Sequence, residues 1–176
     1  MKTDNEKWEA LPVSLNPIKA EDVKALFAPS KNYRLVNVWA TWCVPCIAKF
    51  PKLVEVNRMY QHRNFEFMSI SLDAIEMESK VKSFLEKEHS AIPPKSVSKF
   101  KEDGFLTNNF IFEGDDREDF FKAFDPQWSG AIPYMIIISP EGEIVDRFES
   151  VVEISELRKA LVGYLGRYFF KVPAKE

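Results

Sequence analysis

The sequence of 176 residues predicts a single α/β domain, and three features indicate this class. An apolar strand over 34–39 leads through a helix to a second strand over 64–72, so these two strands are expected to be parallel. The apolar strand 134–139 is followed by a turn and a returning strand over 143–148, which predicts a hairpin. The third feature is a Cys-x-x-Cys pair that stands between the first strand and its helix.

Composition narrows the functions that this domain can have. Hydrophobic residues make up 45% of the chain, enough for a packed core, and no composition break divides 1–176 into two domains. The net charge is −3 with both signs interspersed, so nothing predicts binding to nucleic acid. No run of about 18 apolar residues occurs, so no transmembrane segment is predicted. The polar start, 1–7, lacks the apolar region of a secretory signal, so the protein is either cytoplasmic or has lost its signal.

The chain before the first central strand is predicted to hold little regular structure. Residues 1–17 are expected to form an irregular N-terminal extension, with a short edge strand over 11–15. A helix is predicted over 19–28, where the apolar residues share one face, and it ends at Pro29. The residues of this face are Val23, Leu26 and Phe27.

Two helices are predicted after the cysteine pair. The first covers 45–61, with Pro45 in its first turn, where a missing N–H costs little, and Pro51 inside, where it is expected to kink the helix. Its buried face is expected to contain Ile47, Phe50, Leu53 and Val54. Residues 73–76 match a capping box, which predicts that a second helix opens there and continues to about 88.

The second half of the chain contains the remaining elements. A loop is predicted over 91–101, punctuated by two prolines and holding at most a short helical turn. A short strand follows over 108–112, and then a helix that Asp116 caps. The last helix is predicted over 154–168, because its apolar residues recur at helical spacing.

The cysteine pair predicts redox chemistry, because two thiols separated by two residues at the start of a helix are typical of disulfide exchange. Cys43 is expected at the helix N-terminus, where unpaired N–H groups and the helix dipole favour a thiolate. Cys46 lies one turn further on and is expected to be more buried. We expect Cys43 to attack a substrate disulfide and Cys46 to resolve the mixed disulfide.

The sequence predicts no metal and no cofactor other than the redox-active disulfide itself. A zinc site needs about four ligands, and beyond the cysteines only His62 and His89 are available, in no paired motif. A purely structural disulfide between Cys43 and Cys46 would close a very short loop and stabilise the fold little.

A second candidate feature is the dipeptide Ile132-Pro133, which enters a buried strand. Proline cannot donate to a strand ladder, so either a cis peptide bond or an ordinary strand-entry proline explains it. A cis Pro133 is expected to pack beside the cysteine pair. The backbone of Ile132 is then expected to pair with an extended substrate segment as an added strand.

The tryptophans near these features have separate expected roles. Trp42 is expected to shield the thiol of Cys43, and Trp39 is expected in the core. Trp128 stands five residues before Pro133, and two interpretations stay open for it, a wall of the substrate groove or simple packing.

The chain resembles the thioredoxin superfamily, and in particular the ResA/TlpA-like thiol-disulfide oxidoreductases. The resemblance covers roughly 33–166 and depends on the segment 36–46, the later Pro51 and the turn 130–133. It implies a thioredoxin-like fold of 33–168 with a four- or five-stranded mixed central β-sheet flanked by helices, and a helical insertion before the cis-proline strand.

The resemblance also implies a function and a location. It implies Cys43 as nucleophile, Cys46 as resolving thiol and Pro133 as the cis-proline, with Trp42, Val44, Pro45 and Ile132 beside them in a substrate groove. It implies an exported, often membrane-tethered protein that reduces protein disulfides outside the cytoplasm with electrons from a membrane thiol carrier. Some family members keep apocytochrome c cysteines reduced. We expect the chain to be a monomer.

Two positions depart from the family pattern. Asn37 stands where cytoplasmic thioredoxins have a buried aspartate, and Lys49 stands where ResA proteins have a glutamate. The usual carboxylates that relay the proton of the buried thiol are therefore missing. Lys49 is either a solvated helix lysine or a cation that stabilises thiolates and makes the pair more oxidising. The missing glutamate also weakens the expectation of a role in cytochrome c maturation.

Three functions compete. The segment Val44-Pro45 lacks the histidine found between the cysteines of strong oxidants, which favours a disulfide reductase. A peroxidase of the peroxiredoxin class places a threonine three residues before its cysteine, whereas Thr41 is only two before Cys43. The third possibility is a redox-inactive binding module that uses the groove alone.

Overall fold

The structure is a computed structural model that describes residues 1–149, 153–166 and 172–174. In these residues six strands form one mixed sheet. The strands are β1 Asn16–Ile18, β2 Tyr33–Trp39, β3 Phe65–Ser71, β4 Asn109–Phe112, β5 Tyr134–Ile138 and β6 Ile144–Glu149. The α-helices are α1 Asp4–Glu9, α2 Val44–Met59, α3 Glu78–Lys87, α4 Val97–Glu102, α5 Arg117–Phe124 and α6 Ile154–Leu165. Three 3₁₀ helices cover Ala20–Phe27, Ile75–Met77 and Pro94–Ser96.

The strand order is β1-β4-β3-β2-β5-β6, with β2 near the centre. β2 is parallel to β3 and antiparallel to β5, and the hairpin β5–β6 completes that side. These are the parallel pair and the hairpin that the sequence predicts. The predicted insertion before β5 is present as well, since α3, α4, β4 and α5 lie between β3 and β5.

Helices cover both faces of the sheet. One face buries alternate residues of β2 such as Val36 and Val38 against α5 and the 3₁₀ helix Ala20–Phe27. The other face buries Leu35 against α2 and α6. No helix among the described residues is long and apolar enough to cross a membrane.

The N-terminal region corrects the prediction of an irregular extension. Thr3 caps α1 through a capping box, in which the Glu6 N–H donates to Thr3 Oγ1 and the Thr3 N–H donates to Glu6 Oε2. Trp8 of α1 is buried against the cluster around the cysteines. The edge strand is β1, not 11–15, and it pairs with β4 as a sixth strand where the resemblance implied four or five. Pro17 is tolerated there because β1 is an edge strand.

Two further predictions are wrong in the helical insertion. Residues 73–76 do not form a capping box, because the 3₁₀ helix Ile75–Met77 and α3 begin without a side-chain cap and Asp73 bonds elsewhere. The predicted loop 91–101 contains α4, preceded by a 3₁₀ turn at Pro94–Ser96. A proline is compatible with the first turn of a helix, so the two prolines mark the start of this helical segment and not a loop.

The remaining elements follow the predictions closely. Asp116 caps α5 by accepting a hydrogen bond from the Glu118 N–H at 2.8 Å. Pro51 lies inside α2, which ends at Met59. The last helix, α6, ends at Leu165, and residue 168, where the prediction ended it, lies outside the described residues.

A buried charged cluster occupies the end of the sheet where β2 and β3 begin. Arg34 on β2 lies opposite Glu66 on β3, and Arg34 Nε lies 3.1 Å from Glu66 Oε1. The Arg34 guanidinium also contacts Asp103 at 3.0 Å and donates to the carbonyls of Leu26 and Ala28. Burial raises the pKa of the Glu66 carboxyl to about 8, and a hydrogen bond with Asp103 adds to this effect. At neutral pH the contact of Arg34 with Glu66 is therefore mostly a hydrogen bond to a neutral carboxyl, and Asp103 is the charged partner.

We expect Glu66 to make the stability of the protein fall between about pH 4.5 and pH 8. The folded chain holds a proton on Glu66 up to about pH 8, whereas the unfolded chain releases it near 4.5. The stabilisation is complete below pH 4.5 and is lost as the pH rises through 8. Glu66→Gln should remove this dependence of the free energy of unfolding on pH. The variant should therefore gain stability relative to wild type as the pH rises from 5 to 8.

Urea unfolding at pH 5, 6.5 and 8 measures this difference. Burial lowers the pKa of Lys99 to about 8, which adds pH dependence at higher pH, so the measurement stops at pH 8. Glu55→Gln, at an exposed ion pair with Lys52, is the matched control. The prediction would be contradicted if the difference in free energy of unfolding between Glu66→Gln and wild type were the same at all three pH values.

Candidate active site

The cysteine pair lies where β2 passes into α2. Cys43 is the N-cap residue of α2, its N–H donates to the Ala40 carbonyl at 3.1 Å, and its carbonyl accepts from the Ile47 N–H. We call residues 40–43 the redox loop. A disulfide bond joins Cys43 and Cys46, whose Cα atoms are 5.2 Å apart. Cys43 is 6% exposed and Cys46 is 2% exposed, so the residue further inside the helix is the more buried one.

Exposed apolar side chains flank the disulfide. Trp42 is 59% exposed and Val44 is 79% exposed, although both are large hydrophobic residues. Pro45 is half-buried in the first turn of α2. The surface around Cys43 is therefore apolar and open, which suits contact with another polypeptide.

The Ile132–Pro133 peptide bond is cis, as predicted. Pro133 is buried, and Ile132 packs against the hydrophobic cluster that contains both cysteines. The register between β2 and β5 explains this, because Val38 pairs with Tyr134 in an antiparallel ladder. The residues that precede Tyr134 therefore lie beside those that follow Val38, which lead into the redox loop.

The loop before Pro133, residues 125–133, is held by buried groups, and we call it the proline loop. The indole N–H of Trp128 donates to the Ala131 carbonyl at 2.9 Å, and its ring stacks on Tyr134 at 4.8 Å between centroids. Trp128 is also packed against phenylalanines of α5, and only 6% of it is exposed. Of the two interpretations open for Trp128, the structure supports packing.

Asp125 fixes the other end of the proline loop, and the sequence interpretation missed it. Its buried carboxylate accepts from the Tyr134 hydroxyl and from Arg147 Nε at 2.7 Å. Burial alone would raise its pKa, but the hydrogen bonds from Arg147 and Tyr134 hold the pKa of Asp125 below its usual range. Nothing in the local pattern distinguishes Asp125 from an ordinary turn residue before a proline.

Asp73 is the second aspartate near the site, and the sequence interpretation assigned it to a capping box instead. Its carboxylate accepts from the backbone N–H of Thr41 at 2.9 Å, from the Thr41 hydroxyl and from the Ser71 hydroxyl at 2.6 Å. Asp73 is 3% exposed. A carboxylate therefore contacts the redox loop directly, although it stands at neither family position where one was sought.

Asn37 and Lys49, the two departures from the family pattern, differ in their burial and position. Asn37 is buried in the middle of β2, between Ser69 of β3 and Met135 of β5. Lys49 is half-buried on α2, one turn beyond Cys46. Trp39 is fully buried between Phe50 and Phe84, as expected of a core residue.

The family profile described as Redoxin matches residues 22–161, which are 140 of the 176 residues. The chain belongs to the Redoxin family. The match includes β2, the cysteine pair, the insertion and the proline loop. Membership agrees with the resemblance that the motifs indicate.

Individual relatives of this Redoxin-family chain are moderately similar in sequence. Over 131 residues it is 27% identical to the thiol-disulfide oxidoreductase ResA of Oceanobacillus iheyensis, and the match covers 74% of this chain and 54% of that protein. It is 25% identical to the ResA protein of Bacillus cereus, with 74% and 60% covered. The chain thus spans little more than half of the length of the curated relatives it matches.

Solved structures confirm the thioredoxin-like fold. A thiol:disulfide interchange protein from Bacteroides sp. superimposes with a TM-score of 0.53 at 19% identity, over 82% of this chain and 78% of that one. The thioredoxin domain of a thiol-disulfide oxidoreductase from Bacteroides vulgatus gives 0.52 at 19% identity, over 77% and 81%. At such identities the likeness concerns the fold alone.

Proposed function

We propose that this Redoxin-family chain is a thiol-disulfide oxidoreductase that reduces protein disulfides through Cys43 and Cys46. The observation that supports this most is the position of the pair, with Cys43 at the N-cap of a 16-residue helix and bonded to Cys46 one turn inside. The N-terminus of a helix stabilises a thiolate, which is the nucleophile of disulfide exchange. The names of the ResA relatives agree with this chemistry.

The reaction starts from the reduced pair. The Cys43 thiolate attacks one sulfur of the substrate disulfide, a mixed disulfide forms, and the other substrate sulfur leaves as a thiolate. Cys46 then loses its proton and attacks the Cys43 sulfur. This second exchange closes the Cys43–Cys46 disulfide and releases the second substrate thiolate. Two electrons pass from the pair to the substrate, and two protons convert the released thiolates to thiols.

The substrate groove is formed by the residues around the pair. Trp42, Val44 and Pro45 offer apolar contact beside the attacking sulfur, and Ile132 with Pro133 forms the facing wall. We infer that an extended substrate segment lies along Ile132 and pairs with its backbone, as a strand added to a sheet edge does.

The chemistry of a peroxidase has less support. In this chain Thr41 is two residues before Cys43, and its hydroxyl donates to Asp73 rather than pointing to an open site at the sulfur. Loss of hydrogen peroxide in the presence of a thiol donor would nevertheless revive that function.

The direction of electron flow and the setting are parts of the same proposal. We infer a reductant that acts outside the cytoplasm and receives electrons from a membrane thiol carrier, on family grounds and because no histidine stands between the cysteines. A role in cytochrome c maturation stays a prediction, as does the monomeric state. An equilibrium reduction potential near −270 mV supports the reductant, and one near −120 mV indicates an oxidant.

The reduced protein should reduce the disulfides of insulin, with dithiothreitol as the source of electrons. Cys43→Ser should lower the rate to the uncatalysed background, because a serine hydroxyl cannot form the mixed disulfide. Cys46→Ser should accumulate a mixed disulfide with a substrate peptide, which mass spectrometry detects.

Lys52→Ala, an exposed variant on the same helix, should keep the wild-type rate and is the control for changes on α2. A wild-type protein that stays at the background rate, with both thiols titrated as reduced, would overturn the proposed function and favour a binding module.

A further inference from the structure

We propose that Asp73 is a positioning residue for the nucleophile, acting through Thr41 to fix the redox loop and so to hold Cys43 at the N-terminus of α2. The proposal rests on the proposed function, which makes Cys43 the attacking sulfur, and it goes beyond it by assigning a role to a residue outside the motif. Asp73 follows β3 and is 30 residues away from Cys43 in the sequence.

The strand register brings the two residues together. Trp39 at the end of β2 pairs with Ser71 at the end of β3, and the Leu72 N–H donates to the Trp39 carbonyl at 2.8 Å. Two residues beyond the last pair, the same register places Thr41 opposite Asp73. The contact between them is therefore a consequence of the parallel pairing of β2 with β3.

Hydrogen bonds to both of its oxygens fix the orientation of the Asp73 carboxylate. Oδ2 accepts from the Thr41 N–H and from the Ser71 hydroxyl, and Oδ1 accepts from the Thr41 hydroxyl. The Asp73 N–H in turn donates to Ser71 Oγ at 3.0 Å, which fixes the turn that presents the carboxylate. A buried carboxylate with three donors holds its partners firmly, since hydrogen bonds to a charged acceptor are stronger than neutral ones.

The fixed Thr41 determines where Cys43 lies. Only Trp42 separates the two residues, and the Cys43 N–H is bonded to the carbonyl of Ala40, the residue before Thr41. Asp73, just after β3, thus holds the redox loop at Thr41, and the bond between Cys43 and Ala40 closes the loop at the N-cap of α2. Without the tie to Asp73, Cys43 should spend less time at the N–H groups of α2 that stabilise its thiolate.

The proposed positioning role of Asp73 lowers the pKa of Cys43, whereas a purely electrostatic role would raise it. A negative charge near Cys43 disfavours the thiolate, so a carboxylate acting only as a charge would raise the pKa of Cys43. Thr41→Val leaves the charge of Asp73 and the backbone N–H bond in place and removes only the hydroxyl bond. Thr41→Val is nearly isosteric, and Thr41→Ser retains the hydroxyl.

The test measures how fast iodoacetamide alkylates Cys43 as a function of pH, in a Cys46→Ser background in which Cys43 is the only thiol. Thr41→Val should raise the apparent pKa of Cys43 by about 0.5 to 1, which makes alkylation about three- to tenfold slower at pH values well below the pKa of the parent. Thr41→Ser should match the parent. Asp116→Asn, which removes an exposed capping carboxylate on α5, should match it too.

A double-mutant cycle shows whether Thr41 acts through Asp73. In an Asp73→Ala background, Thr41→Val should change the alkylation rate less than about twofold. Far-UV circular dichroism checks that each variant folds, and if Asp73→Ala does not, the comparison of Thr41→Val with Thr41→Ser still decides.

Three results would overturn the proposal: a Thr41→Val profile equal to the parent, a Thr41→Ser profile as slow as Thr41→Val, or an undiminished Thr41→Val effect without Asp73. Alkylation needs no substrate disulfide, so these results are independent of the insulin assay that tests the proposed function.

Discussion

Replacing Arg34 by methionine should lower the free energy of unfolding by about 3 to 5 kcal/mol, because removing one partner from a buried charged cluster leaves the other uncompensated. Arg34 is 1% exposed, and its guanidinium bonds Asp103, Glu66 and two backbone carbonyls. Methionine fills a similar volume but donates no hydrogen bond. Asp103, which is partly buried, would keep a negative charge without its cation, and the carbonyls of Leu26 and Ala28 would lose their donor.

Urea unfolding at pH 7 measures this loss. Arg34→Lys keeps the charge but has no planar fork that reaches four acceptors, so its loss should be intermediate. Lys52→Ala, at an exposed ion pair on α2, should change stability by less than about 0.5 kcal/mol. If Arg34→Met were no more destabilised than Lys52→Ala, the cluster would contribute nothing to folding.

Gly142→Ala should destabilise the protein by about 3 kcal/mol or more, since two costs add at this position. Gly142 has φ +86°, which strains any other residue, and an added Cβ would lie 2.1 Å from the Phe27 carbonyl oxygen. That oxygen belongs to backbone, which cannot rotate away as a flexible side chain does. The turn between β5 and β6 would have to move off the end of the 3₁₀ helix Ala20–Phe27.

Gly104→Ala is the matched control for Gly142→Ala. Gly104 has a similar φ of +82°, but no atom lies within 4 Å of an added Cβ. Gly104→Ala should therefore lower the free energy of unfolding only by the cost of the left-handed backbone conformation, about 1 to 2 kcal/mol. Equal losses in the two variants, measured by thermal or urea unfolding, would show that contact with Phe27 is unimportant.

Much of the fold follows from local pattern. The apolar runs of β2, β3 and β5 and the helical spacing in α2, α5 and α6 are visible without any tertiary contact, and the strands and helices formed within a few residues of the predicted bounds. The N-terminal helix α1 was missed because six residues show little periodicity, although the capping box Thr3-x-x-Glu6 is a local signal that could have found it.

The two aspartates near the site show why other features could not be predicted. Asp73 fits a capping box in the sequence, yet its carboxylate bonds Thr41, 32 residues earlier. Asp125 resembles a turn residue, yet it bonds Tyr134 and Arg147 across the hairpin. Both carboxylates bond groups that are distant in the sequence, and Asp125 does so while it also accepts the local turn bond from the Gln127 N–H. The strand register that brings these distant groups together has no local signature.

The order of strand, cysteine pair and helix is readable from local pattern alone, because helix starts and strand periodicity are local properties. With that order comes the disulfide exchange that Cys43 and Cys46 are expected to perform. A proline at the entrance to a buried strand marks Pro133 as unusual but leaves cis and trans open, and it was the family resemblance that implied the cis bond found in the structure. The groups that hold the redox loop and the proline loop in place, by contrast, are visible only once the chain is folded. Those groups are brought to the site by the pairing of β2 with β3 and β5, so their roles depend on residues far apart in the chain.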